Sequence, residues 1–256
     1  MNSSKRTRIY GEDITIDSLE VHNFWAKRSD KNLPYAYNLV NFQDSHPEVA
    51  IERDRIEKNK ISKFLNIKED SMILDVGCGI GRWFDDIGNK ITSGKYVGVD
   101  YTESFIKLAG DKFKNCRNCH FIQGNFNSLI NVLKANGEYR SYNNIFVNGI
   151  LMYINDEDLG TCLSFLNELL VPNGIIYIKE SVGLRQRLTL QNYYSEELQA
   201  QYSVIYRTVD QYFKYIHEYL KGMCVYACGP TFIDYIDYDS ETSNWFWIIK
   251  KVIRDK

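Results

Sequence analysis

Three alternating glycines stand between an apolar run and a segment of mixed apolar and charged residues, in an arrangement typical of a ligand-binding turn. They are Gly77, Gly79 and Gly81, and Asp75 stands two residues before the first of them. This order predicts a strand, a tight turn and a helix, and such a turn directs backbone N–H groups toward a ligand. The sequence therefore predicts a small-molecule site at this turn.

The spacing of these glycines separates two kinds of ligand. It is D-x-G-x-G-x-G and not the G-x-G-x-x-G of dinucleotide enzymes, in which residue 82 would be glycine; here it is Arg82. A dinucleotide places a pyrophosphate at the helix N-terminus, whereas S-adenosylmethionine presents a methionine tail beside a cationic sulfonium. We expect Arg82 to pair with the carboxylate of that tail and Asp75 to lie near its positive groups. The spacing therefore favours S-adenosylmethionine.

An acidic residue follows the next apolar run of the sequence. Residues 96–99 are Tyr, Val, Gly and Val, and Asp100 ends the run. A carboxylate in that place can accept hydrogen bonds from both ribose hydroxyls, which S-adenosylmethionine and NAD share. Asp100 therefore predicts a nucleoside without choosing between the two cofactors, and the glycine spacing makes the choice.

These motifs resemble those of class I S-adenosylmethionine-dependent methyltransferases. Residues 75–81 are similar to the first motif of that family, Asp100 to its acidic second motif, residues 121–125 to the segment near adenine, and residues 169–174 to the turn before its fifth strand. The resemblance implies methyl transfer with S-adenosylmethionine as the cofactor. The predicted cofactor residues are Asp75, Gly77, Cys78, Gly79, Gly81, Arg82, Asp100, Tyr101, Asn125, Phe126 and Asn148.

The residues before the first core strand carry a second resemblance, to methyltransferases of bacterial O-antigen and capsule biosynthesis. The matching pieces are FWAKR at residues 24–28, QD at 43–44, PE at 47–48, RD at 53–54 and EK at 57–58. This resemblance implies a glycan-type acceptor, and in class I methyltransferases such N-terminal arms commonly fold over the cofactor. Trp25 and Tyr37 of this arm are therefore candidates for contact with the cofactor, and simple packing within a helical cap is the alternative.

Apolar runs and helical patterns alternate along the middle of the chain. The runs are residues 72–76, 96–99, 119–122, 144–147 and 174–179, and the helical patterns are residues 83–87, 104–112, 128–134 and 156–170. Such alternation predicts a parallel sheet with right-handed crossovers, and ligands of these sheets bind beyond the carboxyl ends of the strands. Asp156 is the expected N-cap of its helix.

Two further apolar runs, residues 223–227 and 245–249, predict an antiparallel hairpin at the sheet edge. The predicted fold is therefore α/β and Rossmann-like, with a mostly parallel seven-stranded sheet, helices on both faces and an N-terminal helical cap. We expect residues 1–66 to form the cap, with residues 1–16 partly disordered or draped over the surface. Residues 67–256 are the expected cofactor-binding core, and residues 181–221 within it an insertion on the acceptor side.

The insertion is dense in tyrosine, arginine and carboxylate side chains, which suit an acceptor pocket. Planar rings fit the face of a sugar, and guanidinium groups bind phosphate or carboxylate. The predicted acceptor residues are Arg185, Tyr194, Tyr206 and Arg207. The alternative is an exposed linker with a partly buried tyrosine face.

Glu180, at the carboxyl end of the predicted fifth strand, is the candidate general base. An alcohol acceptor needs a base to remove its proton, an amine must arrive neutral, and a phosphoryl or carboxylate oxygen needs no base. His22 and His217 are weaker candidates, because a histidine in a helical pattern is more often simply packed or exposed.

The leading functional hypothesis is methyl transfer to a sugar, sugar nucleotide, glycan terminus or phosphate-type oxygen in surface-polysaccharide biosynthesis. Residues 79–82 and 172–176 also resemble protein N-terminal methyltransferases, but the chain lacks an evident acidic groove sequence for a basic peptide. Methylation of adenine bases is disfavoured, because Asn148 is followed by Gly-Ile-Leu and not by a Pro-Pro-aromatic sequence. A cofactor-binding regulator without an acceptor site is the non-enzymatic alternative.

Composition limits the partners and the location. The 256-residue chain has a formal net charge of −2 with both signs interspersed, which predicts no nucleic-acid partner. No apolar run approaches the ~20 residues of a membrane span, and no apolar stretch follows the basic N-terminus, so a cytoplasmic protein is expected. The six cysteines are expected to be reduced. The spacings of Cys116 and Cys119 and of Cys224 and Cys228 do not favour zinc, and no metal is predicted.

Overall fold

The computed structural model describes residues 7–31, 33, 35–232 and 240–252. Its strands are β1 (Arg8–Tyr10), β2 (Met72–Val76), β3 (Lys95–Asp100), β4 (Cys119–Gln123), β5 (Tyr142–Asn148), β6 (Leu170–Gly183), β7 (Leu188–Ser195), β8 (Ala200–Tyr206), β9 (Met223–Pro230) and β10 (Thr242–Lys251). Its α-helices are α1 (Ser18–Arg28), α2 (Asn38–Asn41), α3 (Pro47–Leu65), α4 (Arg82–Ile87), α5 (Glu103–Lys112), α6 (Leu129–Ala135), α7 (Asp156–Leu169) and α8 (Val209–Tyr219). Short 3-10 turns cover Phe126–Ser128 and Leu151–Tyr153.

Seven strands form the central sheet, in the order β4-β3-β2-β5-β6-β10-β9. The strands β2 to β6 are parallel to one another, whereas β10 runs antiparallel to both β6 and β9. This topology confirms the predicted mostly parallel sheet with an antiparallel hairpin at its edge. Apolar, β-branched runs suit the middle strands, because helices cover both faces of such a sheet.

Alternate side chains of the strands enter two apolar cores on opposite faces of the sheet. Leu74 and Val76 of β2 pack in the core that includes α6, α7 and α8. Ile73 between them packs in the core that includes α3 and α4. None of the three side chains is more than 2% exposed. The sheet is therefore held on both sides, and the loops at its carboxyl edge start from fixed positions.

A smaller layer lies near the carboxyl edge of the central sheet. Its three strands have the order β1-β7-β8, and Phe24 and Trp25 of α1 pack with Ile205 of β8 in a third apolar cluster. The expectation that residues 1–16 are merely draped over the surface is corrected, because β1 pairs antiparallel with the start of β7. Residues 1–6 lie outside the described part of the chain.

The segment predicted as an insertion, residues 181–221, is regular structure and not a linker. It contains the end of β6, the hairpin of β7 and β8, and α8. Because β1 belongs to the same small sheet as this hairpin, the N-terminal arm and the insertion pack as one layer. The division of the chain at residue 66 stays a prediction.

The start of α7 differs from the prediction by one residue. Asn155 occupies the N-cap position, and Asp156 is the first helical residue. The Asn155 amide bonds both the N–H and the carbonyl of Ile16, each at 2.9 Å, and so ties the N-terminal arm to the core. No helix among the described residues has both the length and the apolar character needed to cross a membrane.

Candidate active site

Two adjoining cavities lie at the carboxyl edge of the central sheet. The first cavity has a volume of about 170 Å³, and the second cavity has a volume of about 260 Å³. The residues that line both are Trp25, Val40, Gly77, Asn148, Gly149 and Tyr153. A ligand in the first cavity can therefore meet a ligand in the second at these shared residues.

The glycine turn after β2 forms part of this junction. Gly77 has a φ of 77° and Gly79 a φ of 53°, a left-handed backbone that favours glycine. A Cβ at Gly77 would lie 2.3 Å from Cγ2 of Ile150, and one at Gly79 would lie 2.7 Å from Cγ1 of Val40. The turn therefore depends on the absence of a side chain at both positions.

Asp100 ends β3 at the first cavity, where backbone groups hold its carboxylate. Its Oδ2 accepts a hydrogen bond from the Gly79 N–H (2.9 Å), and its Oδ1 accepts one from the Thr102 N–H (2.8 Å). Burial raises the pKa of Asp100, and the two backbone hydrogen bonds oppose that rise. Each carboxylate oxygen has a further lone pair, so the group can also accept hydrogen bonds from two neighbouring hydroxyls, as a ribose presents them.

The first cavity also gathers other predicted cofactor residues. These are Gly77, Gly79, Tyr101, Asn125, Phe126 and Asn148. Asn125 Oδ1 accepts a hydrogen bond from the Asn127 N–H (3.0 Å), which fixes the start of the 3-10 turn. The Asn148 amide, oriented with its oxygen toward Trp83, accepts from Nε1 of that indole at 2.9 Å. The carboxylate, amides and rings of this cavity fit a nucleoside, and the individual contacts stay predictions.

Asp75 and Cys78 line the second cavity and not the first. Asp75 accepts a hydrogen bond from the Tyr96 hydroxyl (2.5 Å). Burial raises the pKa of Asp75 to about 7 despite that hydrogen bond, and burial also raises the pKa of the Cys78 thiol. Near neutral pH, Asp75 is therefore close to the midpoint of its titration.

Arg82 lines the second cavity too, but protein carboxylates already compensate its charge. Its guanidinium donates to Asp54 Oδ1 (2.5 Å) and to Glu57 Oε1 (2.9 Å), both on α3. Glu57 also accepts from Lys179 Nζ (2.6 Å) and from the Tyr177 hydroxyl (2.9 Å). Burial alone would raise the pKa of Glu57, but Arg82 and Lys179 outweigh it and lower that pKa to about 2. Arg82 therefore connects α4 to the N-terminal arm, and its pairing with a methionine carboxylate stays a prediction.

Gly81 lines neither cavity. It precedes α4 with a φ of 78°. A Cβ there would lie 2.7 Å from Cε2 of Phe113 and 3.1 Å from Cζ of Phe121. The missing side chain of Gly81 therefore makes room for two aromatic rings, and its contact with the cofactor stays a prediction.

Glu180 lies in β6 at the second cavity and has no exposed surface. Its Oε1 accepts from the N–H groups of Ile150 (3.0 Å) and Leu151 (2.9 Å), and its Oε2 accepts from the Met152 N–H (3.3 Å). Burial raises the pKa of Glu180 to about 7 against these hydrogen bonds. Glu180 can therefore exchange a proton near neutral pH, and it also holds the turn Leu151–Tyr153. Its role as the general base stays a prediction.

Arg207 is fully buried and lines neither cavity. Its Nε donates to Asp156 Oδ1 (2.7 Å), its Nη1 to the Leu151 carbonyl (2.9 Å) and its Nη2 to the Ile154 carbonyl (2.6 Å). The predicted acceptor contact of Arg207 is wrong, because the protein itself already occupies all three guanidinium nitrogens.

Of the other predicted acceptor residues, Tyr206 lines the second cavity. Its hydroxyl lies 3.4 Å from the Tyr202 hydroxyl. Tyr194 is 51% exposed and bonds Gln199 (3.1 Å), and Arg185 is exposed in the loop before β7. Neither of these two lines a wall of either cavity. Their acceptor contacts stay predictions that the position of the two cavities does not favour.

The two candidate histidines also lie outside the second cavity. His22 lines the first cavity, with its ring centre 5.0 Å from that of Tyr101, and His217 is exposed on α8. In the described part of the chain, no three His, Cys, Asp or Glu side chains lie together as a metal site would need. All six cysteines are free thiols.

Several residues of the second cavity were not predicted from the sequence. They are Phe42, Gln43, Arg53, Met152, Tyr153, Lys179, Ser181 and Asn244. They come from five separate segments, so no local motif unites them. Only their position relative to the strands could have indicated them. Tyr153 follows β5, and Lys179 is the last residue of β6 that pairs with β5, so both lie where the carboxyl ends of the parallel strands meet.

The fold, the glycine turn and the nucleoside-like first cavity together define an S-adenosylmethionine-dependent methyltransferase. A family model described as a methyltransferase domain matches residues 67–241. The chain therefore belongs to that family, and the resemblance found in the glycine motif is confirmed at the level of the class.

The most similar curated relatives include phosphoethanolamine N-methyltransferase 1 of Zea mays, which is 26% identical over 248 residues, covering 93% of this chain and 46% of the relative. A demethylmenaquinone methyltransferase of Staphylococcus carnosus is 27% identical over 86 residues, or 33% of this chain and 36% of the relative. Among solved structures, phosphoethanolamine N-methyltransferase 1 of Haemonchus contortus, in complex with phosphoethanolamine and S-adenosylhomocysteine, has a TM-score of 0.67 at 20% identity. That match covers 93% of this chain and 50% of the Haemonchus chain. The chain thus spans about half the length of the phosphoethanolamine relatives that it matches.

Proposed function

We propose that this chain transfers the methyl group of S-adenosylmethionine to a nitrogen of a small amine that also carries an anionic group. The observation that carries the proposal is the second cavity, which meets the first at the glycine turn and combines aromatic rings, buried carboxylates and cationic side chains. When bound, S-adenosylmethionine supplies a methyl carbon activated by a positively charged sulfur. The work of the protein is then to align the acceptor and to exclude water.

The amine end of the acceptor has suitable neighbours in the second cavity. Five aromatic side chains line it together with two carboxylates: Trp25, Phe42, Trp83, Tyr153, Tyr206, Asp75 and Glu180. Methylation of an amine creates a positive charge on nitrogen, which aromatic faces and carboxylates stabilise. Burial raises the pKa of both Asp75 and Glu180 to about 7, so either carboxylate can take a proton from an arriving ammonium group near neutral pH.

The anionic end of the acceptor is matched by two cationic side chains in the same cavity, Arg53 and Lys179. One N–H of the Lys179 ammonium group donates to Glu57 Oε2 (2.6 Å), and an ammonium group has three N–H donors. A phosphate or carboxylate suits such donors. The phosphoethanolamine named in two of the matching relatives is an amine with a phosphate, which agrees with this chemistry.

A hydroxyl of a sugar phosphate or sugar nucleotide, as in surface-polysaccharide biosynthesis, is the second candidate acceptor. Neutral amide and hydroxyl side chains of the second cavity favour it, among them Gln43, Ser181 and Asn244. For this acceptor, Glu180 would have to remove the hydroxyl proton during transfer. The resemblance of the N-terminal arm to capsule and O-antigen methyltransferases supports the same candidate.

A panel of acceptors decides between the two candidates. The full chain is incubated with S-adenosylmethionine carrying a labelled methyl group and, in turn, with phosphoethanolamine, ethanolamine, a phosphate monoester without an amine, nucleotide sugars and a peptide with a free N-terminus. We expect label in phosphoethanolamine, less in ethanolamine, and none in the phosphate monoester. Mass spectrometry of the product places the methyl group on nitrogen.

Three other outcomes have distinct meanings. Label in nucleotide sugars but in no amine would replace the first candidate by the second. Label only in the peptide would favour the alternative of a protein N-terminal methyltransferase. Cofactor binding by calorimetry without transfer to any acceptor of the panel would reject both small-molecule candidates.

A further inference from the structure

The turn Leu151–Tyr153, which follows β5, is held on one side by a buried carboxylate. Glu180 accepts hydrogen bonds from three consecutive N–H groups, those of Ile150, Leu151 and Met152. The carboxylate has no exposed surface, so water does not compete for these hydrogen bonds. The N–H groups of the turn therefore have fixed directions.

A buried guanidinium holds the same turn on its other side. Arg207 donates to the carbonyls of Leu151 (2.9 Å) and Ile154 (2.6 Å), while its Nε and Nη2 contact Asp156 Oδ1 at 2.7 and 2.6 Å. Two buried charges on one short turn are a costly arrangement unless each is fully paired. Here Glu180 has three backbone N–H donors, and Arg207 has two carbonyls and Asp156, so the turn is held from both sides.

Tyr153 is the residue of this turn that faces both cavities. Its hydroxyl is buried and has no hydrogen-bond partner among the described residues. Its ring stands perpendicular to that of Trp25, with ring centres 5.5 Å apart. A buried hydroxyl without a partner is unfavourable, so this group is suited to a ligand at the junction. Burial raises the pKa of Tyr153 well above its usual value, so the hydroxyl stays protonated.

We propose that the Tyr153 hydroxyl is a catalytic residue that hydrogen-bonds the attacking atom of the acceptor where the two cavities meet, and that Glu180 and Arg207 position it. This proposal rests on the proposed function, in which the second cavity takes the acceptor. The Tyr153 oxygen accepts one N–H of the neutral amine and so directs the nitrogen lone pair toward the methyl carbon. The C–N bond forms as the C–S bond breaks, the electron pair of that bond stays on sulfur, and the nitrogen becomes a cation that later loses a proton to solvent.

The first test removes only the hydroxyl. Tyr153→Phe should lower kcat about 10–100-fold, the effect of one hydrogen bond that strengthens as charge develops. Its Kd for S-adenosylhomocysteine, measured by calorimetry, should stay within about twofold of wild type. The matched control is Tyr142→Phe, which removes a buried hydroxyl that bonds the Glu138 carbonyl and lines neither cavity, and it should leave kcat unchanged.

The second test asks whether Arg207 acts through Tyr153. Arg207→Lys keeps the charge beside Asp156 but loses the fork that bonds two carbonyls. It should lower kcat with little change in KM, and the double variant with Tyr153→Phe should be no slower than Tyr153→Phe alone, because both changes remove the same interaction. A merely structural role of Arg207 would give additive losses.

The acceptor used is whichever member of the panel above the wild type methylates, so the nature of that acceptor tests the proposed function separately. Wild-type kcat in Tyr153→Phe, with any acceptor, overturns the role of Tyr153 and leaves the proposed function standing. Transfer to a sugar hydroxyl that still depends on Tyr153 supports its role and rejects the amine. No transfer to any member of the panel overturns both.

Discussion

Two turns of this protein do comparable work but are built in opposite ways. The glycine turn after β2 and the turn Leu151–Tyr153 after β5 both lie at the carboxyl edge of neighbouring parallel strands, and both contribute residues to the two cavities. The glycine turn is shaped by its own backbone, because Gly77 and Gly79 adopt left-handed φ values. The turn after β5 is shaped by Glu180 and Arg207, which are distant in sequence.

This difference explains which site residues could be read from the sequence. A turn that needs glycine is visible in the sequence as glycines at fixed spacing. The predicted residues Gly77, Gly79 and Asp100 do share one cavity. A turn held by distant side chains leaves no local pattern. Charged residues that serve it, such as Arg207, are then easily mistaken for residues that contact a ligand.

The largest expected effect comes from removing Arg207, which holds the turn Leu151–Tyr153. Arg207→Ala should lower the free energy of unfolding by about 3–5 kcal/mol, because Asp156 is left as an uncompensated, partly buried charge and two carbonyls lose their donor. Chemical denaturation measures it. Arg185→Ala, a change of an exposed arginine of the same segment, is the control and should stay within about 0.5 kcal/mol of wild type. Equal losses of stability in the two variants would show that Arg207 supports the turn after β5 no more than an exposed arginine does.

A somewhat smaller effect is expected at the nucleoside end of the first cavity. Asp100→Ala should weaken binding of S-adenosylhomocysteine by about 1.5–3 kcal/mol, the range for a hydrogen bond to a charged group. Calorimetry with the natural ligand and with an analogue lacking a ribose hydroxyl separates the direct contact from an effect on the turn. In the variant, the analogue and the natural ligand should bind alike. If the hydroxyl still contributed as much as in wild type, Asp100 would not face the ribose.

The glycine turn itself can be tested with two glycines that share a left-handed backbone. Gly77→Ala and Gly137→Ala both place a Cβ at positive φ, but the Cβ at Gly77 meets Ile150 at 2.3 Å, whereas nothing lies within 4 Å of the one at Gly137. Both should lose stability from backbone strain. In addition, Gly77→Ala should weaken cofactor binding by about 1–3 kcal/mol, because Ile150 must move at the cavity junction. If Gly77→Ala bound the cofactor as tightly as wild type, the glycine turn would not be part of the cofactor site.

The effect that is smallest per pH unit concerns the pH dependence of stability. Burial raises the pKa of Glu180 from 4.5 to about 7, so between these values the folded state holds a proton that the unfolded state has lost. Stability should therefore fall as pH rises through this window, by up to about 1.4 kcal/mol per pH unit, and level off above it.

Glu180→Gln should remove this part of the slope, while the similar part from Asp75 remains in both proteins. Denaturation of wild type and variant between pH 4.5 and pH 7 measures the difference. Parallel curves for the two proteins would show that Glu180 does not titrate in this window.

Much of the fold was predictable because the signals are local and repeated. Apolar runs such as residues 72–76 alternate with helical patterns, and this period dictates a parallel sheet covered on both faces. The edge hairpin followed from two apolar runs near the end of the chain. The sequence did not reveal β1, since three residues paired with β7 more than 170 positions away carry no periodicity of their own.

The amino-acid sequence was sufficient to predict the class of protein, the mostly parallel sheet and the glycine-dependent turn, because backbone conformation and hydrophobic period depend on neighbouring residues. The roles of the charged residues became clear only from the tertiary structure. Arg82 bonds carboxylates of α3, Arg207 bonds the turn after β5, and Lys179 lines the second cavity. The physical reason is that a buried charge must find its partners wherever the fold brings them, so its role depends on distances in space that sequence spacing does not contain.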